Sequence, residues 1–100
     1  MAISLDKQQT LAADETFIAR VQQSMITAAI NIANEAGTTP GQPARLALAV
    51  NVLRAPRDNA KRFALAVATQ VSSATPTDAN ITTAINNVWN AFAGFNPNAQ

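Results

Sequence analysis

Between Ile18 and Ile32 the apolar residues Ile18, Val21, Met25, Ala28 and Ile32 recur at alternating steps of three and four. That spacing draws one stripe along an α-helix and does not fit the two-residue alternation of a strand. From Ile26 onward a second stripe, Ile26, Ile30 and Ala33, runs beside the first, and the polar side narrows to Thr27, Asn31, Asn34 and Glu35. A helix that is apolar around most of its circumference has to be covered on more than one side. The run MITAAINIA is therefore expected at the centre of the fold or of an assembly, with Met25, Ile26 and Ile30 as candidate protein-contact residues.

The rest of the chain divides at its prolines and glycines into further helical segments. Pro43 suits the first turn of a helix, where its missing N–H costs nothing. In ARLALAVNVLRA the stripe is read as Leu46, Val50 and Leu53, with Leu48 and Val52 beside it. Pro56 ends that helix, because the residue before a proline is pushed out of the α region, and Pro56 or an Asp58 N-cap starts the next. Ala60, Phe63, Val67 and Val71 form its buried stripe. Thr75 as N-cap, Pro76 in the first turn and Asp78 near the positive helix end signal the last helix. Its buried stripe is Ile81, Ile85, Val88 and Phe92, with Trp89 on the shoulder. Gly37 and Gly94 are expected C-caps, and TTPGQP is expected to be a loop. The predicted fold is all-α: a compact four-helix domain spanning 1–100, with helices near 5–36, 43–55, 57–73 and 76–93. The first of these is a single long N-terminal helix, and a short flexible tail closes the chain.

The composition removes most chemistry. The chain has 100 residues with no cysteine and no histidine, which excludes disulfides and thiolate metal sites and takes away the usual general base and transition-metal ligand. Asp14 and Glu15 are adjacent, so on a helix they point about 100° apart and do not form a shared acid or metal pair. There is no glycine-rich loop to cradle a phosphate, and no catalytic, cofactor or metal residue is assigned. The start, MAISLDKQQ, lacks the basic flank and apolar run of a secretory signal. No stretch approaches the roughly 20 apolar residues of a membrane span, so a chain that is soluble and intracellular, or part of something assembled inside a cell, is expected.

What stands out is the shortage of charge. Charged residues make up 13% of the chain and the net charge is +1, against roughly 25% charged in ordinary soluble domains. Near-zero net charge favours association. Alanine occurs 22 times, which suits close helix–helix approach. The segment NITTAINNVWNAFAGFNP carries no charge at all. Its polar side, including Asn86, Asn87 and Asn90, can be buried against a neighbour at less cost than Lys or Glu, since an unpaired ion is far harder to desolvate than an amide. Trp89, the only tryptophan, is either core or an anchor in a contact with another chain.

The cations crowd one place. Arg54, Arg57, Lys61 and Arg62 flank the elbow RAPRDNAKR with Asp58 as the only acid among them. Such a cluster is a solvated elbow, a contact for an acidic protein surface, or a phosphate contact. Nucleic acid is the less favoured partner. The turn has no glycine, the helix after Arg62 becomes apolar at once, and the low net charge leaves few uncompensated cations for a phosphate backbone.

The runs RLALAVNVLRAP and AKRFALAVATQ, followed by PTDANITTAINNVWNAFAG, resemble small proteins encoded among the virion genes of tailed bacteriophages. The resemblance spans Arg45 to Gly94 and rests on the RLALA run, the RFALAV run and the TD-x-x-I-x₆-VWNAFAG ending. It implies a non-enzymatic structural subunit of the capsid, the head–tail neck or the tail, assembled in the bacterial host cytoplasm and residing in the virion. Its partners would be other virion proteins and copies of itself, with no membrane. The alternative is a small nucleic-acid-binding regulator using the elbow over 54–62.

Overall fold

The computed structural model describes residues 3–35 and 43–93, with side chains for 3–34 and 45–91. All regular structure among these residues is helical: α1 (Leu5–Ala13), α2 (Glu15–Glu35), α3 (Pro43–Arg54), α4 (Pro56–Gln70) and α5 (Asp78–Ala93). The expected caps at Gly37 and Gly94, the TTPGQP loop, the side chain of Phe92 and the C-terminal tail lie outside the described residues.

The long N-terminal helix is two helices, so the described chain has five and not four. Asp14 makes the break, with φ −76° and ψ 119° in the extended region. Its N–H still donates to the Leu11 carbonyl at 3.0 Å, which finishes α1. Its side-chain Oδ1 accepts from the Thr16 N–H at 2.8 Å and its carbonyl accepts from Ile18 N–H at 2.9 Å, which start α2. One residue thus satisfies orphan groups at the end of one helix and at the beginning of the next. Ser4 caps α1 in the same manner, accepting from Lys7 N–H at a long 3.4 Å.

Two other boundaries move. The last helix is capped by Thr77, not Thr75: Asn80 N–H donates to Thr77 Oγ1 at 3.1 Å, and Ile81 N–H donates to the Thr77 carbonyl at 3.0 Å. Pro76 is buried ahead of the helix. α4 ends at Gln70, where Val71 turns extended (ψ 151°) and is buried as the chain leaves. Between α3 and α4 the elbow is a single residue, Ala55, with Pro56 at the first helical position. Asn59 holds it from inside. This buried side chain donates through Nδ2 to the Ala55 carbonyl and to Asn51 Oδ1, both at 2.9 Å, and lies 3.2 Å from the Asn51 carbonyl.

α2 is the centre of the molecule and packs against each of the other four helices. It contributes Phe17, Ile18, Val21, Met25, Ala29 and Ile32 to the core. α4 contributes Ala60, Phe63, Ala64, Val67 and Ala68, and α5 contributes Ile81, Ala84, Ile85, Val88 and Trp89. The Trp89 ring meets Phe63 edge-on, with centroids 6.4 Å apart and planes at 73°, an arrangement that suits the aromatic quadrupoles.

α3 corrects the sequence reading more sharply. Ala49 and Val52 are the fully buried residues, while Val50 and Leu53, read as the main apolar stripe, are 48% and 43% exposed. Alanine at the contact lets the α3 backbone come close to its neighbours, and that turns the bulkier Val50 and Leu53 outward.

Candidate protein-contact surface

The contact candidates separate into interior and surface positions. Met25 and Trp89 lie in the core, at 0% and 1% exposure, so neither has surface to offer a partner. Both are among the largest fully buried side chains of the core. Ile26 is half-buried, and Ile30 is 47% exposed. Asn86 and Asn87 are exposed on α5. Asn90 is half-buried, and its Oδ1 accepts from Arg45 Nε at 3.2 Å.

Two surfaces result. The first is a groove between α2 and α5. Arg20 donates through Nη2 and Nε to Asp78 Oδ1 at 2.8 and 3.2 Å, and through Nη2 to the Pro76 carbonyl at 2.9 Å. One turn further along both helices, the Ser24 and Thr82 hydroxyls share a hydrogen bond at 3.1 Å. Both pairs are 58 residues apart in sequence, so α2 and α5 run parallel at a constant offset. The groove they enclose has a volume of about 560 Å³. Ala28 and Ile81 line it alongside the polar side chains of Gln23, Thr27, Asn31 and Asn86. Among the described residues that line it, the only charges are Arg20 and Asp78, which neutralise each other.

Gln23, Asn31 and Asn86 are exposed and engage in no hydrogen bond within the described chain through their carboxamides. Each offers both a donor and an acceptor. The ridge beside the groove, Ala79, Thr83 and Asn87 on α5, is exposed and uncharged as well. The second surface is the apolar flank of α3, where Val50 and Leu53 are exposed and Leu46 is half-buried; on α2, Ile30 is exposed and Ile26 half-buried.

The basic elbow is less positive than its sequence suggests. Arg54, Arg57, Lys61 and Arg62 are all exposed, but Arg57 Nη2 donates to Glu15 Oε2. That bond, together with the Arg57 and Lys61 charges, holds the Glu15 carboxyl below its ordinary range. Glu15 therefore stays ionised at neutral pH and offsets part of the cluster.

Of the sequence-derived α5 candidates Asn86 lines the groove, and none of the α2 candidates does. Arg20, Gln23, Ser24, Thr27 and Asn31 are spaced like any solvated helix face. Asp78, the single charge after Arg62, stands at the start of α5 and is the acid that Arg20 meets. Among the described residues no three of His, Cys, Asp or Glu gather where they could hold a metal ion, and no helix is long and apolar enough to cross a membrane. No protein-family model, no curated protein and no solved structure matches the chain.

Proposed function

We propose that this chain is a non-enzymatic structural subunit that works by packing its helix faces against other protein chains, and that its setting is the virion of a tailed bacteriophage. The observation that carries the reading is the uncharged surface along α2 and α5. A helix pair that met only water would gain solubility from Lys and Glu at Gln23, Thr27, Asn31, Thr83, Asn86 and Asn87, and it has neither residue there. The exposed Val50 and Leu53 on α3 add a second surface suited to burial. The virion setting comes from the sequence resemblance over Arg45–Gly94.

The reading is tested on particles. Phage particles purified from cells carrying the gene should contain the chain in fixed proportion to the other particle proteins, as measured by quantitative mass spectrometry. Absence from the particles, combined with gel-shift binding to short duplexes that survives physiological salt and disappears when Arg54, Lys61 and Arg62 become Ala, would replace it with the nucleic-acid reading.

A further inference from the structure

Resting on the reading of the chain as an assembling subunit, we infer that the α5 ridge and the α2–α5 groove together form a two-fold contact with a second copy of this same chain. α5 of each copy lies in the groove of the other.

The choice of a second copy follows from the chemistry of the surface. A two-fold contact sets a patch against itself. A patch with an excess of either charge repels its own copy, and an apolar patch accepts many partners without distinction. Carboxamides and hydroxyls each carry a donor and an acceptor, so a patch made of them is complementary to itself. Here Gln23, Asn31 and Asn86 hold their carboxamides unbonded at the groove, and Asn87 and Thr83 stand on the ridge beside it. The one ion pair in the groove, Arg20–Asp78, is already closed within the chain, so it brings no net charge to the contact.

The shape agrees. Two grooves face to face would enclose a void, but α5 is at once the wall of the groove and the ridge next to it. A two-fold axis beside Thr83 and Asn87 sets ridge into groove twice. The ridge residues Ala79, Thr83 and Asn87 are small or short, which permits close helix approach. Asn90, one turn beyond Asn86, is half-buried and holds Arg45 through its Oδ1.

The test exploits the absence of cysteine from the chain. Full-length variants Asn87→Cys, Leu53→Cys and Thr69→Cys each carry one thiol, on the ridge, on the apolar flank and on the outer side of α4. With a short bifunctional maleimide, Asn87→Cys should form covalent dimer well ahead of the other two. Independently, Asn87→Asp and Asn87→Lys should each weaken self-association in sedimentation by at least about tenfold, since like charges then oppose across the axis, and mixing the two should restore a dimer.

Preferential linking through Leu53→Cys would overturn the inference, because the copy would then sit on the apolar flank. So would a chain that stays monomeric and unlinked at high concentration while being present in particles. In both cases the assembling-subunit reading would stand. Conversely, linking through Asn87→Cys in a chain that is absent from particles would uphold the contact and remove the virion setting.

Discussion

α4 and α5 do the same work on their inner sides and opposite work on their outer sides. Both bury one continuous face in the same core and meet through Phe63 and Trp89. Outward, α4 shows Asp58, Lys61, Arg62, Leu65 and Thr69, an ordinary mixture of both charges around a single exposed apolar residue. α5 shows Ala79, Asn80, Thr83, Asn86 and Asn87, with no charge after its first residue. The two helices share packing demands, so packing does not account for the difference. The proposed contact accounts for it, with water over α4 and protein over α5.

The comparison breaks most visibly if the inner faces prove unequal. Val67 and Ile85 are both at 0% exposure, and Val67→Asp and Ile85→Asp each bury an unpaired carboxylate. The cost is expected to reach several kcal/mol, a large share of the ~5–15 kcal/mol that holds a domain of this size together. Circular-dichroism melts should show both variants largely unfolded. A variant that melts like the wild type would mean that its helix does not face the core.

The outer faces are compared by one substitution made twice. Thr69 on α4 and Thr83 on α5 are both exposed. Changing either to Glu should leave the melting of the isolated chain within about 0.5 kcal/mol of the wild type. Sedimentation should then separate them: Thr83→Glu weakens self-association by at least about tenfold, whereas Thr69→Glu leaves it unchanged. Equal behaviour would make the missing charges of α5 a matter of composition alone.

The smallest effect lies at the charged margin of α4, where Arg57 meets Glu15. The Glu15 carboxyl is held below its ordinary range in the folded chain. Its contribution to stability is therefore present above the unfolded-state value and is lost as pH falls through the lowered folded one. Both partners are well exposed, so the contribution is small. Glu15→Gln should lower the melting temperature slightly at neutral pH, and the gap should close in acid. A gap that widened on acidification would contradict the direction of the shift.

How much of this was written in the sequence varies by element. The stripes of α4 and α5 were legible because Phe63, Val67, Ile81, Ile85 and Val88 are large apolar residues at clean helical spacing. α3 was not, because ARLALAVNVLRA is apolar on two sides, and the deciding residue, Ala49, carries almost no hydrophobic signal of its own. The break at Asp14 was hidden for a related reason. Asp followed by Glu reads equally as an exposed helix surface or as an N-cap, and only the Thr16 N–H it accepts distinguishes them. Of the candidate surface, the asparagines of α5 were visible as an uncharged run. Their counterparts on α2 depend on a register between helices far apart in the chain, which no local pattern encodes.

That register also bears on the order of events during synthesis. Arg20 and Asp78, like Ser24 and Thr82, are joined across 58 residues, and contacts so far apart in the chain close late, after the loss of loop entropy is offset by nearer ones. A nascent chain that has reached only α4 carries Gln23, Thr27 and Asn31 but has no second wall to set against them. The groove exists only once the final helix has been made and docked. Under the proposed contact, chains that stop short of α5 would thus be barred from joining an assembly through this surface, and the making of α5 becomes the condition for recruitment.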